Sequence, residues 1–248
     1  MLYKKREYEK LGVELQTMNI AVVIPALDEE EMIGRIVRRC QRVLARLDSG
    51  RIVVCDNNSR DRTAAVALEA GAEVTRARRN GYGTACRTGT SYLGSWPDVL
   101  VFLDADGSSC PEEIECLLEP IQAGRADLVI GVRPFNSPMP PLQIWGNRLA
   151  TLLINLRWNY SFADLGPFRA IRRKSYEGLK MEDTTWGWTV EMQIRALLCN
   201  LRIEETPVSC KPRLAGVSKI SGTVLGSVKA GSRILWTIFS HSLRKKNV

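Results

Sequence analysis

The sequence predicts an α/β protein with a mostly parallel central sheet that is flanked by helices. Short apolar runs alternate with segments that carry a helical spacing of apolar residues, at the lengths of βαβ units. The chain has 248 residues, of which 45% are hydrophobic and 25% are charged, as is ordinary for a globular protein. This length and composition suffice for a sizeable core in one large domain or two small ones.

The elements of the first half follow from apolar runs and the residues that end them. Residues 20–25 form an apolar run that a proline ends, which indicates a buried strand. After Asp28 the apolar residues recur every three or four positions as far as Leu47, which predicts a helix. The same patterns predict strands over 52–55, 73–75 and 99–103 and helices over 63–70 and 84–93.

The second half continues the alternation. Helices are predicted over 112–118, 142–156, 189–199 and 223–239, and strands over 127–131, 166–171 and 203–210. Four prolines between 134 and 141 predict a mobile loop, and residues 1–18 predict a short, charged, peripheral helix. No segment reaches 18 uninterrupted apolar residues, so we predict no membrane span.

Positive charge is concentrated at the C-terminal end. The net charge is +8, and the eight Lys and Arg from Lys211 onward, with no Asp or Glu among them, account for all of it. Such an end predicts an anionic partner, either phosphates, a membrane surface or nucleic acid, although a merely solvated tail is the alternative. The last predicted helix is either a helix lying on a membrane surface or an ordinary helix packed on the sheet. Its apolar residues are Leu225, Val228, Ile234, Leu235, Ile238 and Phe239.

The histidine and cysteine content limits which kinds of catalytic and metal sites the chain can form. His241 is the single histidine, which argues against a Ser-His-Asp triad and a His-rich zinc site. A metal would therefore be held by oxygen, as Mg²⁺ or Mn²⁺ prefers. The seven cysteines include no C-x-x-C pair, which predicts reduced, buried thiols in a cytosolic protein. The charged first ten residues predict no signal peptide.

Acidic and amide side chains follow three of the predicted strands. Asp28 comes after the first strand, Asp56-Asn57-Asn58 after the second and Asp104-Ala105-Asp106 after the fourth. The carboxyl ends of parallel strands meet at one edge of the sheet, and ligands bind there. We therefore expect these polar residues to converge on a binding site.

Asp104 and Asp106 are the strongest candidates for metal ligands. Residues i and i+2 on an extended backbone point the same way, so the two carboxylates repel unless a proton or a cation lies between them. A divalent cation with oxygen ligands satisfies this pair, and Ser108 or Ser109 would add a ligand directly or through water. Two solvated loop aspartates are the alternative. The Asn80-Gly81-Tyr82-Gly83 segment supplies backbone N–H groups at a helix start, suited to an anion or a ribose hydroxyl.

Nine motifs along the chain carry a family resemblance. They are VVIPALDEE (22–30), VVCDNNSRDRT (53–63), NGYGTA (80–85), FLDADG (102–107), VIGVR (129–133), GNRL (146–149), DLGPFRAI (164–171), WTVEMQ (188–193) and RLAGVSKISG (213–222). In this order they resemble family 2 of the inverting glycosyltransferases, which have the GT-A nucleotide-sugar fold, and in particular its polyprenyl-phosphate mannose or glucose synthases. The resemblance implies a GT-A domain over 19–222, between an extension at 1–18 and a basic helix and tail at 223–248.

The resemblance also implies roles for single residues. Asp104 and Asp106 would hold Mg²⁺ or Mn²⁺ against the diphosphate of the donor, and Arg133, Arg148 and Arg169 would meet the acceptor phosphate or its approach. The nucleotide and its phosphates would be bound by Pro25, Ala26, Asp28, Glu30, Asp56, Asn80, Gly81, Gly83, Ala105, Arg213 and Lys219.

The expected activity is inverting transfer of a hexose from a UDP- or GDP-sugar to a polyprenyl phosphate, in the cytoplasm or at the cytoplasmic face of a membrane. A lipid phosphate needs no general base, whereas a hydroxyl acceptor needs a carboxylate to take its proton. Asp164 is the first candidate for that base and Glu191 the second, and each could equally be a structural partner of Arg148 or Arg169. The alternatives are transfer to a soluble or saccharide hydroxyl, and a non-catalytic binder of nucleotide-sugar or nucleic acid. Nucleic acid is disfavoured because the basic segments lack interleaved aromatic residues.

Overall fold

A seven-stranded mixed sheet lies at the centre of the computed structural model, which describes residues 18–47, 50–213 and 224–243. The strands are β1 (Ile20–Ala26), β2 (Gly50–Asp56), β3 (Glu73–Arg76), β4 (Val99–Phe102), β5 (Leu128–Val132), β6 (Arg169–Arg172) and β7 (Ile203–Pro207). Their order is β3-β2-β1-β4-β6-β5-β7. Only β6 runs antiparallel to its neighbours, β4 and β5. The predicted mostly parallel sheet is confirmed.

Helices cover both faces of this sheet. They are α1 (Glu30–Leu44), α2 (Thr63–Glu69), α3 (Tyr82–Tyr92), α4 (Ile114–Gln122), α5 (Pro141–Trp158), α6 (Arg173–Leu179), α7 (Trp188–Leu198) and α8 (Val224–Leu243). Successive side chains of β1 point to opposite faces, so Val22 packs in a core with α1 and α4. Val23 packs in a second core with α5, α7 and α8. A strand that is buried on both faces reads as a continuous apolar run, which is why the sequence showed it so clearly.

Several predicted boundaries shift for identifiable reasons. A 3-10 turn over Pro111–Glu113 precedes α4, which runs on through Pro120 instead of ending at 118. The sixth strand starts at Arg169 rather than 166. The seventh ends at Pro207 rather than 210, because its partner β5 ends at Val132, whose carbonyl accepts the N–H of Val208. Helix α6 was not predicted, because its seven residues bury only Tyr176 and Leu179 and so show no periodicity.

The cysteine prediction holds for part of the set. All seven cysteines are free thiols, and Cys40, Cys55, Cys86 and Cys110 are buried as expected. Cys116 and Cys199 are exposed instead, and Cys210 is half-buried. Among the described helices, none has the length and apolar character needed to cross a bilayer. The predicted N-terminal helix, Lys219 and the Arg244-Lys245-Lys246 cluster lie outside the described residues.

Candidate active site

The loops after β1, β2 and β4 lie side by side at one edge of the sheet. Strand β1 pairs with β2 on one side and with β4 on the other, all in parallel. Their carboxyl ends therefore point the same way and bring Asp28, Asp56 and the Asp104–Asp106 pair to one edge, as the sequence predicted. The three loops form the floor and one wall of the candidate site.

The carboxylate pair after β4 is held by neighbours on both sides. The hydroxyl of Tyr82 donates to Asp104 Oδ1 at 3.0 Å, and the backbone N–H of Ser108 donates to Asp106 Oδ1 at 2.9 Å. Burial, and then the charge of Asp106, raise the pKa of Asp104 to about 6. Positive charge placed beside the pair would stabilise the charged form of Asp104.

The donor atoms of this pair fit a hard divalent cation. Both side chains offer carboxylate oxygens, the ligand type that Mg²⁺ and Mn²⁺ prefer. Within the described residues, no group of three or more His, Cys, Asp and Glu is arranged to hold a metal. A cation on Asp104 and Asp106 would therefore keep positions open for water and for substrate oxygens.

Arg213 brings positive charge to the same place. One guanidinium nitrogen of Arg213 pairs with Glu29, and another lies 3.6 Å from Asp106 Oδ2. Glu29 is buried and was not predicted as a site residue, although it stands in the acidic run that follows β1. Arg213 is the last described residue before position 224, and it lies beside the carboxylate pair. Its contact with the donor phosphates stays a prediction.

The loops after β1 and β2 are fastened to each other by their acidic side chains. Asp28 Oδ1 accepts the backbone N–H of Arg60 at 2.8 Å, and Glu30 Oε2 accepts that of Arg62 at 2.8 Å. Asp56 is buried, and its Oδ1 accepts the N–H of Ser59 at 2.9 Å. These three carboxylates therefore shape the wall of the site, in addition to any contact with a nucleotide.

Three residues predicted to line the nucleotide pocket have buried side chains. Pro25 and Ala26 lie within β1, and Ala105 lies between the two aspartates with 3% of its surface exposed. The side chains of Ala26 and Ala105 belong to the core that α1 and α4 cover. Contact with a nucleotide at these positions is thus limited to the backbone, and their small size lets the strands pack.

Two amide side chains connect the β2 loop to the start of α3. Asn57 Oδ1 accepts the backbone N–H of Gly81 at 2.9 Å. The Asn58 side chain donates to Asn80 Oδ1 at 2.8 Å. Asn57 and Asn58 thereby fix the position from which Tyr82 reaches Asp104.

The glycines of the Asn80–Gly83 segment serve close backbone packing. The N–H of Gly81 is taken by Asn57, and that of Gly83 donates to the carbonyl of Thr185 at 3.2 Å. The prediction that these N–H groups are free for an anion or a ribose hydroxyl is therefore corrected. A Cβ on Gly81 would lie 2.2 Å from the Thr184 carbonyl oxygen, and one on Gly83 would lie 2.3 Å from that of Asp183. Gly81 also has a φ of +151°, which favours glycine.

Replacing Gly83 by alanine is expected to lower the free energy of unfolding by about 1–3 kcal/mol, the usual cost of overpacking. The new methyl group would push the loop at 183–185 away from α3, and Tyr82 would move with the helix. Gly178→Ala is the matched control, because nothing lies within 4 Å of a Cβ at that helical glycine. Urea denaturation of both variants checks this. Equal stability of the two would contradict the close contact at Gly83.

Arg133 and Asp164 form a buried bidentate ion pair next to the site. Arg133 Nε lies 2.7 Å from Asp164 Oδ2, and Nη2 lies 2.8 Å from Oδ1. Asn147 of α5 also donates to Asp164 Oδ1, at 2.6 Å. Burial opposes the charged form of Asp164, but the hydrogen bonds and charge of Arg133 outweigh it, and the pKa of Asp164 stays below its usual range. The structural partner of Asp164 is thus Arg133, not Arg148 or Arg169.

Glu191, the second candidate base, is also engaged by protein groups. It is 1% exposed and accepts the backbone N–H of Asp183 at 2.7 Å. Its Oε1 lies 2.8 Å from Arg195 Nε, one turn along α7. Glu191 therefore fixes the loop that packs on the start of α3, and its partner is Arg195.

The two remaining arginines differ in position. Arg169 is fully buried, and its guanidinium donates to the carbonyls of Gly166 at 2.9 Å and Thr189 at 3.0 Å. Burial lowers the pKa of Arg169 to about 10. Its predicted contact with an acceptor phosphate is corrected to a structural role. Arg148 is half-buried on α5 and stacks on Phe135, 3.8 Å from the ring centre.

The family model for glycosyl transferase family 2 matches residues 21–179, which contain all the strands of the site just described. The chain is a member of this family. Its expected membership, read from the order of the motifs, is thereby confirmed.

Relatives within the family include proteins with named lipid acceptors. A glycosyltransferase of Mycobacterium tuberculosis that is described as uncharacterized is 35% identical over 217 residues, 85% of this chain and 94% of that protein. An undecaprenyl-phosphate mannosyltransferase of Micrococcus luteus is 30% identical, over 84% of this chain and 90% of that protein. A polyprenol monophosphomannose synthase of Mycolicibacterium smegmatis is 30% identical, over 84% and 83%.

Solved structures confirm the GT-A fold of this family member. Glucosyl-3-phosphoglycerate synthase from Mycobacterium tuberculosis, in complex with Mn²⁺, UDP-glucose and phosphoglyceric acid, superposes with a TM-score of 0.75. The match covers 91% of this chain and 80% of that one, at 20% identity. At this identity the likeness shows the fold alone.

Proposed function

We propose that this family 2 glycosyltransferase moves a hexose from a UDP- or GDP-sugar to a polyprenyl phosphate, with inversion at the anomeric carbon. The observation that carries the proposal is the Asp104–Asp106 pair at the carboxyl end of β4, with Arg213 beside it. Mg²⁺ or Mn²⁺, when bound there, supplies charge stabilisation to the departing diphosphate. The Mn²⁺ in the glucosyl-3-phosphoglycerate synthase structure supports this choice of ion.

Different arginines are proposed to contact the donor and the acceptor. Arg213, which contacts Glu29 and Asp106, adds positive charge where the diphosphate gathers negative charge. Arg133 is held rigidly by Asp164, so its guanidinium is preorganised to meet an anionic acceptor. Attack from the acceptor side, opposite the diphosphate, inverts the configuration. Lys219, outside the described residues, remains a proposed second cation for the donor phosphates.

The acceptor is proposed to be a phosphate because both candidate bases are otherwise engaged. Asp164 has a lowered pKa and accepts from Arg133 and Asn147, so it is a poor proton acceptor. Glu191, a residue of α7, is buried and paired with Arg195. A lipid phosphate is already an anion and needs no base. The names of the Micrococcus luteus and Mycolicibacterium smegmatis relatives support the same acceptor class.

A transfer assay with matched acceptors tests this function. The protein is incubated with radiolabelled UDP-glucose or GDP-mannose and Mn²⁺, with either undecaprenyl phosphate or the dephosphorylated alcohol. We expect label in the lipid only with the phosphate and with one of the two donors. Transfer to the alcohol would favour a hydroxyl acceptor. Absence of transfer to either, with nucleotide binding intact, would overturn catalysis and leave a nucleotide-sugar binder.

A lipid acceptor requires the protein to work where the lipid phosphate is. We therefore propose that it acts as a peripheral protein at the cytoplasmic face of a membrane. The concentration of Lys and Arg at the C-terminal end, with no acidic residue from Lys211 onward, supports this location.

A further inference from the structure

Helix α5 exposes a row of large apolar side chains along one face. Trp145 is 69% exposed and Leu156 is 73% exposed, which is unusual for side chains of this size. The row consists of Leu142, Trp145, Leu149, Leu152 and Leu156. Alternating steps of three and four residues place them on one side of the helix, along about 21 Å of its axis. The core packing of α5 does not use this side.

Helix α8 continues the apolar surface. Ile238 is buried and Ile234 packs on the core, whereas Leu235 and Phe239 are exposed. One side of α8 therefore packs inward, as the alternative of an ordinary packed helix predicted, and the other side is exposed. Contact of that exposed side with a membrane stays a prediction. Trp236 and Leu243 are exposed on the same side as Leu235 and Phe239.

The two exposed rows adjoin each other. The guanidinium of Arg157 on α5 donates to the carbonyl of Ser242 on α8 at 2.9 Å. Leu156 precedes Arg157 and Leu243 follows Ser242, so both apolar rows extend to this junction. We call the combined surface the α5–α8 face. It comprises Phe135, Leu142, Trp145, Leu149, Leu152, Leu156, Leu235, Trp236, Phe239 and Leu243.

Exposed apolar surface is concentrated on this face. In the part of the chain that the structure describes, twelve large apolar side chains are exposed, and ten of them belong to it. The other two, Leu68 and Tyr92, lie apart from it on α2 and α3. Scattered apolar residues are ordinary, whereas a contiguous set marks a surface that something covers.

The charges of the two helices identify what covers it. Helices α5 and α8 contain Arg148, Arg157, Lys229 and Arg233 and no acidic residue. Arg233 is ion-paired with Asp183 at 2.9 Å. Within the described residues, the unneutralised basic side chains of these helices are therefore those of Arg148, Arg157 and Lys229. Apolar side chains flanked by basic ones match an anionic lipid surface, and exposed tryptophans suit the headgroup layer. A second copy of the same face would bring basic residues against basic residues. We propose that the α5–α8 face docks on an anionic phospholipid bilayer.

The face reaches the acceptor side of the site. Asn147 of α5 donates to Asp164, which is the partner of Arg133. Phe135 lies two residues after Arg133 in the chain, and its ring stacks against Arg148 of α5. A phosphate at the bilayer surface would meet these arginines while its lipid chain stays in the membrane. The proposed docking gives the lipid acceptor a route to the site, and in this respect it rests on the function proposed above.

Vesicle flotation tests the docking. The full chain is mixed with vesicles of phosphatidylcholine alone or of equal parts phosphatidylcholine and phosphatidylglycerol. We expect the wild type to bind only the vesicles with phosphatidylglycerol, and Trp145→Gln/Leu152→Gln to partition at least about tenfold less, about 1.4 kcal/mol. Leu68→Gln is the matched control, since Leu68 is 64% exposed on a different helix, and it should bind as the wild type does.

Two further measurements separate docking from catalysis and from dimerisation. The double variant should keep its thermal midpoint and its nucleotide affinity, because both changed residues are exposed and away from the carboxylates. If the wild type does not bind anionic vesicles but glycosylates a short, water-soluble polyprenyl phosphate, the docking proposal is wrong and the proposed function is retained. If the wild type binds anionic vesicles but transfers no sugar to any acceptor, the proposed function is wrong and the docking proposal is retained. Sedimentation that shows a dimer, which the double variant abolishes, would overturn the docking in favour of a second copy.

Discussion

Asp106→Ala is expected to weaken Mn²⁺-dependent binding of the nucleotide by about a thousandfold, because several kcal/mol of charge stabilisation depend on the cation. The Asp106 side chain is partly exposed, and among the described residues it accepts a hydrogen bond from Ser108 and lies near Arg213, so the fold should be unaffected. Asp104 would remain, but a single carboxylate, already bonded to the hydroxyl of Tyr82, holds a divalent ion poorly. Calorimetric titration of UDP and of GDP, with and without Mn²⁺, measures the change and also identifies the base of the donor.

The other end of the same strand supplies the control for this experiment. Asp98 precedes β4 and is exposed, and its carboxylate accepts only the backbone N–H of Asn19 among the hydrogen bonds described. Asp98→Ala removes the same charge at the opposite edge of the sheet and should leave nucleotide binding unchanged. If Asp106→Ala retains Mn²⁺-dependent binding at wild-type strength, the aspartates are merely solvated loop residues, and the metal role is wrong.

The strands, and the edge of the sheet where Asp28, Asp56, Asp104 and Asp106 meet, were predictable because each depends on a short local pattern of residues. An apolar run that ends in a polar loop reports burial on both faces of a strand, as at β1, β2 and β4. Parallel pairing then brings the loops together without any further information. The D-x-D spacing places two carboxylates on the same side of an extended backbone, where they repel each other. Asp104 and Asp106 could therefore be predicted as metal ligands from the sequence.

The contacts that fix the site were not predictable, because they join distant parts of the chain. Gly81 pairs with Asn57 across 24 residues, and Thr84 with Thr184 across 100. Nothing in the local pattern distinguishes an N–H that is free for an anion from one that a loop elsewhere will occupy. The same limit explains Arg169, since its sequence neighbours do not reveal that three backbone carbonyls will surround its guanidinium. The role of Tyr82 was likewise hidden, although its place between two glycines was visible.

The exposure of the α5–α8 face could not be predicted for a different reason. The sequence showed the basic, apolar character of the last helix, whereas for α5 it predicted a helix without indicating which side is exposed. Its apolar residues occur on nearly all sides, so periodicity gives no direction. Only the position of the core distinguishes Ala150 and Ile154, which are buried, from Leu149 and Leu152, which are not.

Breaking the Arg133–Asp164 pair from either side is expected to lower the free energy of unfolding by about 3–5 kcal/mol, because the remaining charge stays buried without its partner. The side chains are only 16% and 4% exposed. Arg133→Met/Asp164→Leu removes both charges and should recover most of that loss. Arg62 and Glu69 supply the exposed control pair, with 70% and 64% of their side chains accessible, and Glu69→Gln should change stability by no more than about 1 kcal/mol.

Activity then separates the structural contribution of the pair from its proposed contact with the acceptor. If Arg133 meets the acceptor phosphate, the double variant is stable and binds nucleotide but fails to glycosylate undecaprenyl phosphate. Full activity in the double variant would contradict that contact and leave the pair purely structural.

Acid titration gives an independent check of the contribution of the Arg133–Asp164 pair to stability. Because the folded pKa of Asp164 lies below its unfolded value, its stabilisation is present above the unfolded value and is lost as the pH falls through the folded one. The wild type should therefore lose more stability than the double variant over that acidic range.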